Sequence, residues 1–210
     1  MISCEDDMKQ AKTGYPVMPA IEARWSPRAF NTARPVELEK LGSLLEAARW
    51  AASSYNEQPW RFIVGNKYDS PRTHEMLQDV LVDGNRWAKE VPILILTVAK
   101  NHFTQSGGLN RHAFHDVGLT MANLTLQAQH EGLHAHLMAG FCADTAYRLF
   151  NIPQEDYTPC VMAAVGYLGA PETLTEEWQR NAEYAPRYRK PLQDIVYSET
   201  WGQPYSGCFT

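Results

Sequence analysis

Two short basic segments, far apart in the chain, contain the residue types that bind a phosphate group. The first has Arg24, Ser26 and Arg28 within five residues, and the second has Arg187 and Arg189 within three. A guanidinium presents a planar fork of N–H donors that matches phosphate oxygens. The first segment therefore indicates a phosphate site, whereas the second, taken alone, is better interpreted as a solvated basic run. The alternative is that both are solvated surface arginines.

A third segment collects hydroxyl and amide side chains directly after a helical pattern. It contains Ser53, Ser54, Asn56 and Gln58. Such groups match the donors and acceptors along the edge of a heterocycle. The alternative is an ordinary serine-rich helix end followed by a turn.

The bulk properties restrict the class of protein. The 210 residues fit one domain, and a formal net charge of -5 disfavours nucleic acid as a partner. The polar, acidic N-terminus lacks the features of a signal peptide, and no apolar run reaches the ~20 residues that span a membrane. The four cysteines have neither zinc-finger nor C-x-x-C spacing, which is typical of a reducing compartment. We therefore expect a cytoplasmic protein without membrane or nucleic-acid partners.

The hydrophobic pattern predicts the elements that must position these segments. Helical spacing covers residues 35–52, 71–82, 110–131 and 144–150, with Pro35 in a first turn and Gly132 as a helix stop. Apolar runs predict strands over residues 60–64, 91–99, 134–141 and 160–167. About four core strands mixed with helices indicate an α+β layer fold rather than a barrel. Residues 1–20 are interpreted as a loosely ordered leader, residues 21–198 as the domain and residues 199–210 as a tail.

Taken in order, these segments resemble the nitroreductase family over nearly the whole chain from Arg24 onwards. The family pattern R-x-S-x-R followed by an aromatic is present as RWSPRAF, and its helix and polar loop are present as EAARWAASSYNEQPWRF, residues 46–62. The middle of the family is matched by HDVGLTMANLTLQAQHEGLHAHLMAGF, and its end by VMAAVGYLG and RKPLQDIV. No single piece is decisive, but the ordered set is specific.

The resemblance implies a central, mostly antiparallel sheet flanked by helices, in an intertwined homodimer that binds FMN at the subunit interface. It implies that the FMN phosphate and ribityl chain contact the following residues: Arg24, Trp25, Ser26, Arg28, Arg187 and Arg189. The polar loop would approach the flavin from the other subunit through Ser53, Ser54 and Asn56, with Gln58 supporting it. The strand end, Leu137, Met138, Ala139 and Gly140, would run beside the flavin ring, with an amide near Ala139 or Gly140 donating to it.

The resemblance also implies a reaction. NADH or NADPH would reduce FMN and leave, and a flat, electron-poor acceptor such as a nitroaromatic or a quinone would then be reduced in a ping-pong cycle. No side chain is assigned as an essential acid or base. Two departures stand out: Ala52 replaces the usual proline before the paired serines, and Cys142 replaces the usual aspartate after G-F. The latter change could alter a helix N-cap rather than the site.

Other interpretations remain open at this point. The same scaffold could carry a dehalogenase or an enone reductase, and the protein could be an FMN store or sensor without turnover, or a cofactor-free interaction protein. A metal site built from the residues His112, His115, His134, His136 and Asp116 is disfavoured because no catalytic zinc motif is present. No G-x-G-x-x-G motif follows a strand, so a resident nicotinamide cofactor in a Rossmann site is not predicted.

Overall fold

A computed structural model describes residues 9–207 and shows one four-stranded sheet. The strands are β1 (Trp60–Asn66), β2 (Ile93–Lys100), β3 (His134–Met138) and β4 (Tyr157–Gly166). Their order is β1-β2-β4-β3, and every neighbouring pair is antiparallel. The prediction of an α+β fold with about four core strands and a mostly antiparallel sheet is confirmed.

The central strand β2 is covered on both faces, as its unbroken apolar run predicts. Alternate residues of β2 point to opposite sides, so that Ile93 and Ile95 lie in one hydrophobic cluster while Leu94 and Leu96 lie in the other. The sheet is therefore the middle layer between two layers of helices.

Six α-helices surround the sheet in the described part of the chain. They are α1 (Pro19–Ala23), α2 (Leu38–Arg49), α3 (Pro71–Val80), α4 (Ala113–His130), α5 (Ala143–Phe150) and α6 (Glu177–Tyr184). The buried side chains of α2 and α4 cover one face of the sheet, and those of α3 and α5 cover the other. Thr120 on α4 donates to the carbonyl of Ala48 at 2.5 Å, which ties α4 to α2.

Helix α4 ends at the glycine that its sequence indicates. Gly132 has a φ of +72°, and the Leu133 N–H donates to the Ala128 carbonyl at 2.8 Å. This is the pattern of a Schellman stop, in which a glycine in the left-handed region turns the chain and the next amide reaches back into the last turn. The chain then enters β3 directly.

The structure corrects several predicted boundaries. Helix α2 begins at Leu38, so Pro35 is not in its first turn. The Glu37 carboxylate accepts a 2.6 Å hydrogen bond from the Tyr167 hydroxyl, and its backbone is extended there. Strand β3 ends at Met138 instead of continuing to residue 141, because the Cys142 amide turns away to bond the Val80 carbonyl.

Two further helices lie where sequence patterns indicated irregular chain. Pro19 occupies the first turn of α1, where its missing N–H costs nothing. Helix α6 lies in the polar region that follows residue 171, and it buries Gln179 and Glu183, so its inner face is polar and gives no apolar period.

The predicted leader and tail are only partly within the described residues, since 1–8 and 208–210 fall outside them. Lys9 is buried, and its ammonium donates to the carbonyls of Ala182 and Ala185 at the end of α6. Residues 196–205 form a small hairpin closed by a bridge between Tyr197 and Pro204, with Trp201 exposed at its turn.

No helix between residues 9 and 207 has both the length and the apolar character needed to cross a bilayer. Over the same residues, no three histidine, cysteine or acidic side chains converge on a point where a metal ion could sit.

Candidate active site

The segment that carries Arg24, Ser26 and Arg28 is held by a buried carboxylate. Glu183 on α6 is 6% exposed, and its two oxygens accept the backbone N–H groups of Arg28 at 2.9 Å and Ala29 at 3.3 Å. Charge-assisted bonds to consecutive amides fix the path of a backbone. Helix α6 therefore sets the position of the R-x-S-x-R segment.

The same segment is also anchored to the sheet. The Asn31 N–H bonds the Tyr167 carbonyl, and the Gly169 N–H bonds the Ala29 carbonyl, both at 2.9 Å. A Cβ at Gly169 would lie 2.4 Å from the Phe30 backbone, so only glycine permits this approach. The segment thus continues the sheet just beyond β4.

His136 on β3 contacts this segment directly. Its Nδ1 lies 2.8 Å from the Pro27 carbonyl, and its ring lies 4.7 Å from that of Trp87. Burial lowers the pKa of His136 to about 4, and the nearby Arg28 charge acts in the same direction. The imidazole is therefore neutral near pH 7 and donates Nδ1–H to the carbonyl.

Three arginines from the two basic segments lie within electrostatic reach of one another. Burial lowers the pKa of Arg24, and the charge of Arg189 lowers it further. The pKa of Arg187 is lowered by burial and then by the charges of both Arg24 and Arg189. Between residues 9 and 207, no carboxylate lies within 4.0 Å of these guanidiniums. Mutually repelling cations that have no counter-charge among the described residues form a site suited to an anion.

The members of this cationic cluster differ in what they can offer a ligand. Arg187 already donates to the carbonyls of Lys9 at 2.9 Å and Glu22 at 2.6 Å, and so caps the end of α1. Arg189 donates one bond to the Tyr188 carbonyl and is otherwise exposed. Arg24 lies 3.3 Å from the Ser26 hydroxyl. Arg24, Ser26 and Arg189 therefore keep donors for an anion, while Arg187 mainly supports the cluster.

The side chains of Trp25 and Arg28 lie in different surroundings. Trp25 packs edge-on against His134 with ring centres 6.1 Å apart, and the Lys9 ammonium lies 4.6 Å from its ring. The Arg28 guanidinium lies 5.0 Å from the ring of Trp178, at the wall of a cleft of about 660 Å³. Arg28 is not among the charges that lower the pKa values of Arg24 and Arg187.

The end of β3 offers backbone donors. Within the described residues, the amides of Ala139 and Gly140 donate to no protein acceptor. The Gly140 carbonyl is fixed by the Asn85 side-chain amide at 2.8 Å, and a Cβ at Gly140 would lie 2.7 Å from that same nitrogen. Leu137 is partly exposed, whereas the Met138 side chain is in the core, so Met138 can reach a ligand only through its backbone.

The polar loop of residues 53–58 has an unusual backbone. Tyr55, Asn56 and Gln58 have φ values of 52°, 54° and 51°, in the left-handed region that side chains rarely adopt. The Gln58 N–H bonds the Ser53 hydroxyl at 3.0 Å, and the Gln58 side-chain amide lies 3.2 Å from the Asn56 side-chain oxygen. Non-glycine residues in such conformations concentrate at functional sites.

Helix α4 fixes the start of this loop. The Ser54 N–H donates at 3.0 Å to the carboxylate of Asp116, which is buried at the beginning of α4 and also lies 3.0 Å from His115 Nδ1. Asn56 and Tyr55 remain exposed, with Tyr55 at 92%. The loop therefore presents polar and aromatic groups outwards, away from its own core.

The two halves of the predicted site lie at opposite edges of the sheet. The polar loop leads into β1, and the R-x-S-x-R segment contacts β3 through His136. Three inter-strand steps separate these edges, which is roughly 14 Å. The structure thus brings Arg24, Ser26, Arg187 and Arg189 together but does not bring Ser53, Ser54 and Asn56 to them within one chain.

Sequence reasoning missed several residues that position the site: Lys9, Glu57, Asn85, Asp116 and Glu183. Each acts on a partner that is distant in sequence or that is a backbone group, so no local spacing reveals it. The available sequence signal was an acidic residue at an inward-facing helical position, such as Asp116, because a buried carboxylate needs a partner.

Comparison with known proteins places the chain in a family. The sequence model that defines the nitroreductase family matches residues 21–93 of this chain. A solved structure described as an oxidoreductase containing FMN is 32% identical, with a TM-score of 0.84 over 91% of this chain and 96% of its own.

Two proteins are similar to this chain in sequence. An uncharacterized 15.4 kDa protein of Mycolicibacterium smegmatis is 32% identical over 154 residues, which cover 69% of this chain and 99% of that protein. The major NAD(P)H-flavin oxidoreductase of Aliivibrio fischeri is 42% identical over 50 residues, 24% of this chain and 23% of its own length. The chain belongs to the nitroreductase family, as its ordered motifs predict.

Proposed function

We propose that the protein is an FMN-dependent oxidoreductase that takes electrons from NADH or NADPH. When bound, FMN supplies the redox chemistry by accepting a hydride and passing electrons to a second substrate. Arg24, Ser26 and Arg189 would hold the phosphate, and the amides of Ala139 and Gly140 would donate to the ring. The similar solved structure contains FMN, and the similar Aliivibrio protein is an NAD(P)H-flavin oxidoreductase.

The observation that carries this proposal is the pairing of unsatisfied donors at the two ends of β3. Trp25 contacts His134 at the start of β3, so the neighbouring Arg24 cluster offers positive charge at that end, while the free amides follow its other end. The five residues of β3 span about 16 Å. An elongated ligand with a phosphate at one end and a hydrogen-bonding ring at the other fits this arrangement.

The protein groups would act by binding and orientation. Donors that already point at a site stabilise negative charge without rearrangement. Asn85 keeps the peptide of Gly140 in place, and His136 and Glu183 keep the phosphate segment in place. No side chain is proposed as a proton donor or acceptor in the reaction.

We also propose a homodimer in which the polar loop of one protomer completes the site of the other. The separation of the two half-sites across the sheet supports this, because one chain does not join them. A surface on α4 supports it too, since Phe114 is 56% exposed and Leu119 is partly exposed beside the small residues Gly118 and Ala122. Apolar helix faces of this kind are favourable contact surfaces.

The proposed acceptor is a flat, electron-poor molecule such as a nitroaromatic or a quinone, and the proposed kinetic scheme is ping-pong. A cavity of about 460 Å³, whose lining includes the rings of Tyr55 and Phe103, supports a planar acceptor. Ping-pong kinetics require both substrates to use the flavin in turn. Initial rates at varied NADH and quinone should then give parallel double-reciprocal lines, and intersecting lines would count against it.

The cofactor proposal is tested by titrating the flavin-free protein with FMN and following fluorescence quenching. We expect one FMN per chain for the wild type, and binding at least tenfold weaker for Arg24→Met. Arg86→Met, in which the lost arginine pairs with Asp83 on the surface, is the matched control and should bind like the wild type. Saturation by riboflavin and FMN with equal affinity would exclude the phosphate assignment.

A further inference from the structure

A buried carboxylate lies between the polar loop and the next loop along the sheet edge. The Glu57 side chain is 7% exposed and lies 3.0 Å from the Lys100 ammonium. Its oxygens also accept the Thr104 N–H at 2.9 Å and the Thr104 hydroxyl at 2.6 Å. Burial alone would raise the pKa of Glu57, but the bonds from Thr104 and Lys100 together hold it below its ordinary value.

These bonds join two loops that are distant in sequence. Glu57 lies within the polar loop, and Thr104 lies in the loop of residues 101–109, which is closed by its own bond from the Asn110 N–H to the Asn101 carbonyl. Tyr55 and Phe103 meet edge-on beside the carboxylate, with ring centres 6.0 Å apart. The two loops together form the walls of the 460 Å³ cavity.

The left-handed backbone of the polar loop needs external support. Tyr55, Asn56 and Gln58 surround Glu57 in the sequence, and each has a φ near 50°. Such conformations persist only where contacts over-determine them. Asp116 holds one end of the loop at Ser54, whereas Glu57 supplies the contacts on the side of the cavity.

We infer that Glu57 is a positioning residue that holds the polar loop in its left-handed conformation and couples it to the 101–109 loop. A change that loosens one loop would then alter both the contacts of the polar loop with FMN and the shape of the acceptor cavity. This inference rests on the proposed function for its link to FMN, but the coupling of the two loops is a property of the protein alone.

The coupling is tested by amide hydrogen exchange of the flavin-free protein. In Glu57→Ala, we expect exchange at least tenfold faster in both residues 53–58 and residues 101–109. Thr104→Val removes the hydroxyl partner from the opposite loop and should accelerate exchange in the polar loop as well, while Thr104→Ser restores slow exchange. Glu90→Gln removes the comparable but exposed pair with Lys67 and serves as the matched control.

The consequence for the site is tested on the same variants loaded with FMN. We expect Glu57→Ala to weaken FMN binding at least tenfold and to raise the KM for menadione more than the KM for NADH. The Glu57→Ala/Thr104→Val double variant should be no weaker than Glu57→Ala alone, because both changes break one cluster. Additive effects, or faster exchange confined to residues 53–58, would overturn the inference. A wild type that binds no FMN would instead defeat the proposed function, and the exchange data would still decide the role of Glu57.

Discussion

His136 gives a quantitative prediction for the pH dependence of stability. Its partly buried ring lies against Pro27 and Trp87, and the loss of solvent lowers its pKa in the folded protein to about 4, from 6.5 in an unfolded chain. Between these two values, the unfolded chain binds the proton more strongly than the native protein does. Stability therefore rises with pH across this window. The contribution is complete above pH 6.5 and is lost as the pH falls towards 4.

The size of the effect follows from the two pKa values. Each pKa unit corresponds to about 1.4 kcal/mol, so the fall from 6.5 to about 4 amounts to roughly 3 kcal/mol. This is a large share of the 5–15 kcal/mol that is typical of folded domains. The contribution of His136 to the pH dependence of stability should therefore be measurable beside the contributions of the titrating carboxylates.

The assay is urea unfolding of the flavin-free protein from pH 4 to 7.5, compared with His136→Gln. Glutamine can still donate an N–H to the Pro27 carbonyl but does not titrate in this range. We expect the wild type to lose about 3 kcal/mol more unfolding free energy than His136→Gln between pH 7 and pH 4. Curves that stay parallel over the whole range would refute this explanation of His136.

Three further substitutions probe the site and its surroundings. Gly140→Ala should weaken FMN binding about tenfold or more, because the new Cβ would lie 2.7 Å from the Asn85 amide nitrogen and displace it; fluorescence titration measures this. Cys142→Asp should raise the thermal midpoint by about 2–4 °C, because the Cys142 sulfur accepts only the Thr145 hydroxyl and makes no cap bond to the amides of α5, which an aspartate carboxylate would supply; calorimetry measures this. Leu119→Glu should shift the light-scattering mass from dimer to monomer, because it places a charge on the exposed apolar face of α4.

Each of these substitutions has a contrary outcome. Unchanged FMN affinity in Gly140→Ala would mean that the strand end does not contact the ring. A lower thermal midpoint in Cys142→Asp would mean that the first turn of α5 does not accept a cap. A monomeric wild type at micromolar concentration would contradict the dimer outright, and Glu75→Lys on the outer face of α3 is a charge control that should leave the mass unchanged.

The layered core could be predicted from the sequence because periodicity reports burial directly. The run around Ile95 indicates a strand covered on both faces, and the spacing of Val117, Met121 and Leu124 indicates the buried face of α4; the structure has both. Phe114 belongs to the same apolar period but is exposed. Periodicity alone does not separate a side chain that faces its own core from one that faces a partner.

The site could be predicted only as a set of segments, since its geometry depends on contacts between distant residues. The arginines that approach one another come from opposite ends of the chain, and a largely exposed helix with a polar inner face, α6, holds one of the two segments. Glu183 and Glu57 lie in polar stretches whose composition is typical of solvent-exposed chain. Their burial follows from bonds to backbone amides and to a distant lysine, which no local pattern encodes.

The most direct test of the central claim is anaerobic reduction followed by absorption spectroscopy. The protein is loaded with FMN, freed of excess cofactor and titrated with NADH and, separately, NADPH. We expect the absorption bands of the oxidised flavin to bleach with one equivalent of the preferred donor and to return when a quinone is added. Flavin bands that persist in excess donor would contradict the proposed oxidoreductase function and leave a protein that binds FMN without turning it over.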